Sequence, residues 1–130
     1  MKSIASDWMS AAHDDLELIQ EIIHNENLTN LVAFHSQQAI EKSFKSILEE
    51  YDGNVPRMHN LETLLPKVNR HVTFIDAELD LFEDLDKLYI DSRYPGDFGL
   101  LPNGKPTIDE AKKFYELALL IHEAVTVALK

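Results

Sequence analysis

The chain has 130 residues, enough for one domain and one core. It has no cysteine, which excludes a disulfide framework, a thiolate metal site and a thiol nucleophile, and fits a reducing, cytoplasmic compartment. Its formal charge of −11 argues against a broad basic footprint for duplex DNA. No window approaches the ~20 apolar residues of a membrane span, and the first residues lack the apolar region of a signal peptide.

Glycine and proline are absent before residue 53, and the apolar spacing is helical almost throughout. Ala5, Trp8, Met9, Ala12, Leu16, Ile19 and Ile23 form one stripe, so a first helix is expected to end near His24 to Asn27. A second helix is expected from about Thr29 to Tyr51, stopped by the turn signal Asp52-Gly53-Asn54. Its inward stripe is Ala33, Gln37, Ile40, Phe44, Ile47 and Tyr51. A second column holds Leu31, His35, Gln38 and Lys42 at i, i+4, i+7 and i+11. Such a column predicts that this helix meets a helix, a subunit or a ligand on both sides.

A short third helix is expected after Asn60, with Leu61, Leu64, Leu65 and Val68 inward and Pro66 shortening or kinking it. Thr73 reads as the N-cap of a fourth helix through about Ile90, with Ile75, Leu79, Phe82, Leu85 and Tyr89 inward and Leu81 and Leu88 widening the stripe. Residues 93–106 form the one long irregular stretch, with three of the five prolines and three of the four glycines. Thr107-Ile108-Asp109-Glu110 is a capping box opening a last helix with Ala111, Phe114, Ala118, Ile121, Val125 and Leu129 inward. With no strand-period run and no repeat, the pattern predicts a single all-α domain, an antiparallel up-and-down bundle of four to five helices.

Metal ligation is not expected, and no cofactor is called for. The histidines at 13, 24, 35, 59, 71 and 122 include no His-x-x-x-His pair. Glu21-Ile22-Ile23-His24 is a lone Glu-x-x-His, and a di-iron bundle needs two. No Gly-rich phosphate loop or Ser-His-Asp order stands out. Arg93, at the expected end of the fourth helix, either completes the helix dipole or holds a phosphate, with Tyr94 or Phe98 able to stack on a base. His59 is either a turn residue or, beside Arg57, part of an anion site. His35 is either a core hydrogen-bonder or a ligand contact. His122, on the edge of the last stripe, reads as structural.

Asp15-Leu16, the run Phe34-His35-Ser36-Gln37-Gln38-Ala39-Ile40-Glu41-Lys42, His59-Asn60-Leu61 with Leu64-Leu65, the segment from Tyr89 to Pro95, and Thr107 to Ala111 occur in the order found in the HEPN family (higher eukaryotes and prokaryotes nucleotide-binding). The chain resembles that family over nearly its whole length. The resemblance implies a dimerising helical bundle, often the partner of a small nucleotidyltransferase in a two-component system of toxin–antitoxin type. It also implies, for the ribonuclease members, an Arg followed after four to six residues by a His. Here Arg93 is followed at those positions by Phe98, Gly99 and Leu100, and neither Arg57 nor Arg70 has a His there. The expectation is therefore a nucleotide- or RNA-binding module without ribonuclease activity, with Arg93, Tyr94, His35, Gln38, Lys42 and His59 as contacts. The alternatives are a divergent metal-independent ribonuclease and a structural dimerisation scaffold.

Overall fold

The computed structural model describes residues 1–74, 79–93 and 105–130, with backbone only for 90–93. Five helices follow in order: α1 (Ser3–Ile22), α2 (Thr29–Tyr51), α3 (Leu61–Val68), α4 (Leu79–Arg93) and α5 (Ile108–Ala128). Among the described residues there is no strand.

Side-chain contacts fix the directions. Ser46 Oγ donates to the Ala5 carbonyl while His35 and Lys42 reach Asp15, so α1 and α2 run antiparallel. Phe44 packs on Phe82 and Phe34 on Tyr89, which makes α4 antiparallel to α2 as well. Tyr51 Oη donates to the Ala128 carbonyl and Ser43 lies against His122, so α5 runs parallel to α2. The four long helices thus go up, down, up and down, with α3 a short connector element.

α2 is the axis of the molecule. It packs against all four other helices. Fourteen of its 23 residues are buried, against five in α1. Ala33, Ile40, Phe44 and Ile47 are fully buried, as the stripe predicts, but Tyr51 at its end is half exposed. A fully buried Phe44, ringed by Phe74 and Phe82, contributes about 1.5–3 kcal/mol by apolar burial.

The helix ends follow local chemistry. α1 stops at Ile22, earlier than the apolar pattern indicates, because the chain turns there: Asn25 N–H bonds the Ile22 carbonyl and Asn27 N–H bonds Asn25 Oδ1. Ile23 is only partly buried as a result. α2 closes at Gly53, whose φ of +66° lets its N–H return to the Leu48 carbonyl. α3 contains Pro66 on its exposed side, where water can reach the carbonyl that the missing N–H frees. α5 opens with the expected reciprocal cap, Thr107 Oγ1 accepting from Glu110 N–H and Glu110 from Thr107 N–H.

α4 differs most from its sequence reading. It continues to Arg93, and Leu79, expected inward, is 63% exposed. Phe82, Leu85 and Leu88 are buried, and so is the carboxylate of Asp86. The expected opening at Thr73 involves 75–78, outside the described residues. Among the described residues no helix is long and apolar enough to cross a membrane.

Candidate functional site

α2 places an unusual number of polar groups inside the bundle: Ser36, Gln37, Glu41, Ser43, Lys45 and Ser46 are all buried. A buried polar group is costly unless it is hydrogen-bonded, and a buried charge must be paired. Ser43 and Ser46 bond the carbonyls of Ala39 and Ala5, Ser36 Oγ has no partner among the described residues, and the charged groups are held in two networks.

The first is centred on Asp15 of α1. This carboxylate is 8% exposed and faces the polar column of α2. His35 Nδ1 lies 2.9 Å from Oδ1, and Lys42 Nζ lies 2.7 Å from Oδ2. The two donors sit two helical turns apart, and Asp15 bridges them from the neighbouring helix. A carboxylate accepts only, so His35 donates through Nδ1 and keeps its Nε2 lone pair for another partner. The column therefore meets α1, as its spacing predicts.

The second network is centred on Glu41, 4% exposed. Oε2 receives Lys45 Nζ at 2.8 Å and His59 Nδ1 at 3.0 Å. Oε1 receives Gln37 Nε2 at 3.2 Å. Gln37 also donates to the His59 carbonyl at 2.8 Å and accepts from Gln38 Nε2 at 2.7 Å. Gln37 thus works as a buried polar junction within the apolar stripe, where sequence periodicity places it as filler. Gln38 spends its amide hydrogens inward. Lys45 lies 5.6 Å from the Trp8 ring centre, which adds a cation–π contact on the α1 side.

His59 is held from three directions. Its ring bonds Glu41, its carbonyl bonds Gln37, and the helix that follows is anchored by Asp86 of α4. Asp86 accepts from Leu61 N–H at 2.8 Å and Glu62 N–H at 3.1 Å, an interhelix cap on the start of α3. Burial pushes the Asp86 carboxyl above its ordinary value, and these two backbone bonds act against that rise. Asn60 completes the cap through Thr63 N–H.

A file of rings runs across both networks. Phe34 stacks on Tyr89 with centres 5.8 Å apart and planes 10° apart. His59 lies 5.7 Å from the Tyr89 ring centre with planes inclined by 38°, and His35 meets Phe34 edge-on at 5.2 Å. Tyr89 stands four residues before Arg93, the last residue of α4, so the helix register puts both positions on one face.

Of the residues singled out from sequence, His35 and His59 touch this ring file, Lys42 joins His35 through Asp15, and Gln38 joins His59 through Gln37. Arg93 stands at the helix end beside the ring file. Tyr94 lies outside the described residues. Lys42 and His35 both bond Asp15, so the charge of Lys42 is compensated in place. Sequence reasoning passed over Phe34, Gln37, Glu41, Lys45 and Asp86 as functional-site residues. The available signal was a Gln37-Glu41-Lys45 series at i, i+4 and i+8 that runs along the apolar stripe of α2.

A family model for the HEPN domain matches residues 5–128. The chain belongs to the HEPN family. Two solved structures agree with this HEPN assignment. TT1696 from Thermus thermophilus is 27% identical, with a TM-score of 0.78 over 98% of this chain and 99% of that one. ST0689, described as an archaeal HEPN homologue, is 28% identical, with a TM-score of 0.69 over the full length of both chains. No curated protein matches the chain. HEPN membership makes it a helical module of a nucleotide-binding family.

Proposed function

We propose that this chain is a nucleotide- or RNA-binding HEPN module that binds through the α2–α4 surface and lacks ribonuclease activity. The observation that carries this reading is the ring file Phe34–Tyr89–His59, set beside the end of α4 where Arg93 stands. Aromatic faces stack on unpaired bases at about 1–3 kcal/mol each. A guanidinium suits phosphate through its planar fork of donors. Tyr94, the next residue in the sequence, belongs to the same reading as a residue able to stack on a base. Gln38, with a carbonyl oxygen that has no partner among the described residues, and His35, through Nε2, supply polar contacts for a base or sugar edge; Lys42 holds Asp15, which in turn orients His35. Absence of a histidine four to six residues after Arg93 supports the non-catalytic reading.

The test is titration with ATP and with a short single-stranded oligoribonucleotide at low salt. Binding is expected, weakened about tenfold by Arg93→Ala, a loss of roughly 1.4 kcal/mol. Unchanged binding in that variant removes the phosphate role of Arg93.

A homodimer and a nucleotidyltransferase partner belong to the same proposal, on the strength of family membership. The outer side of α1 and α2 offers Ile4, Leu18 and Leu31, each at least 40% exposed, as an apolar surface for a second copy. Co-purification followed by mass spectrometry tests both.

One observation favours a ribonuclease instead. His59 donates Nδ1–H to buried Glu41 and has half of its side chain exposed, the carboxylate–imidazole arrangement that prepares Nε2 as a general base. That reading predicts RNA cleavage insensitive to EDTA and abolished by His59→Ala and by Arg93→Ala.

A further inference from the structure

On the α1–α5 side lies a surface cavity of about 460 Å³, whose lining includes Met9, His13, Asp14, His122, Thr126 and Leu129. Its two imidazoles come from helices far apart in the chain, with ring centres 6.3 Å apart and planes inclined by 31°. Each ring has one nitrogen already assigned. His13 Nε2 is 2.9 Å from Glu17 Oε1, and a carboxylate can only accept, so Nε2 carries the proton in the neutral ring. His122 Nδ1 is 3.2 Å from Ser43 Oγ. The one hydroxyl proton of Ser43 goes to the Ala39 carbonyl at 2.8 Å, so here too the imidazole is the donor. The nitrogens that remain, His13 Nδ1 and His122 Nε2, are both bare lone pairs.

This is the state in which imidazole binds a metal. Ligating histidines characteristically donate their other N–H to a carboxylate or other acceptor, which fixes the tautomer and raises basicity. With metal–nitrogen bonds of about 2.0–2.1 Å, two rings sharing one ion have centres roughly 5 Å apart at a tetrahedral angle and about 6.4 Å apart when they lie opposite one another. The 6.3 Å separation is that of two nearly opposite ligands, the arrangement of square-planar or octahedral nickel or copper, and is wider than a tetrahedral zinc pair. Imidazole donors select zinc, nickel or copper over magnesium or calcium.

We propose that His13 and His122 form a two-histidine site for a first-row divalent ion, clamping α1 to α5. Among the described residues no three His, Asp or Glu side chains converge as a metal group, so water completes the coordination. The i, i+4 spacing that guides sequence searches for helical metal pairs has no bearing on two ligands from separate helices.

The experiment is a Ni2+ titration of the untagged protein by calorimetry, repeated with Zn2+, and with His13→Ala, His122→Asn and a His24→Ala control. His13 is exposed and replaced by a strong helix former, so its variant keeps the fold. The expected result is one saturable equivalent, weakened at least tenfold by His13→Ala and by a folded His122→Asn, and unchanged by His24→Ala. No saturable binding, or unchanged affinity in His13→Ala, overturns the site. Should His122→Asn fail to fold, His13→Ala decides alone.

Discussion

Asp15 and Glu41 differ in what their removal leaves behind. Truncating Glu41 strands Lys45, whose side chain is 7% exposed, as an unpaired charge. Loss of one partner of a buried pair costs about 3–5 kcal/mol, so Glu41→Ala is expected near that figure in urea denaturation. Truncating Asp15 strands His35 and Lys42, but these are 22% and 25% exposed and can reach water. The expected cost is smaller, about 1–3 kcal/mol. Glu17→Ala removes only an exposed pair with His13 and is expected to change stability by less than about 1 kcal/mol. His122 adds a pH dependence. Burial first, and His13 second, hold its pKa below the ordinary 6.5. Ser43 from α2, His13 from α1, and Asp14 and Lys130 at the same cavity face it. The unfolded chain takes up this proton before the folded one, so the contribution of His122 to stability falls as pH drops below that ordinary value. Denaturation midpoints at pH 7 and pH 5.5, in EDTA, are expected to drop less for His122→Asn than for the parent chain.

At the scale of the element, the decisive cap comes from elsewhere in the fold. Asp86→Ala removes both acceptors at the start of α3 and is expected to cost about 1–2 kcal/mol and to loosen His59. The His59 ring resonances in NMR, broadened or shifted in that variant, check the second effect. Helices whose boundaries rest on local chemistry were legible in the sequence: α2 between Thr29 and the Gly53 turn, and α5 from its capping box. Boundaries and faces that rest on tertiary contact were not. Asp86 lies at helical spacing between Phe82 and Tyr89 on the inward stripe of α4, and no hydropathy pattern shows that its partners there are backbone N–H groups of another helix. Gln37 sits at a core position whose polarity is satisfied only through the His59 loop. The column His35, Gln38 and Lys42 was visible as a second face, while its mate Asp15 was not, since no spacing rule links two helices.

For the whole molecule, the charge of −11 sets the terms of recognition. A strongly acidic body repels a polyanion, so nucleic-acid affinity has to come from stacking and one or two local cations. Salt dependence then follows. With one to two phosphates neutralised, log affinity for single-stranded RNA is expected to fall with log salt at a slope of about −0.7 to −1.4, far shallower than for a basic RNA-binding surface. The up-down-up-down arrangement around α2 gives the proposed binding surface a rigid base: the buried networks of Asp15 and Glu41 hold His35 and His59 in place.

The most direct measurement is NMR chemical-shift mapping of the 15N-labelled chain titrated with ATP and with a short oligoribonucleotide. Perturbations concentrated at Phe34, His35, Gln38, His59, Tyr89 and Arg93 are the predicted result. Perturbations confined to α1 and α5, or none at millimolar ligand, contradict a nucleotide site on the α2–α4 surface.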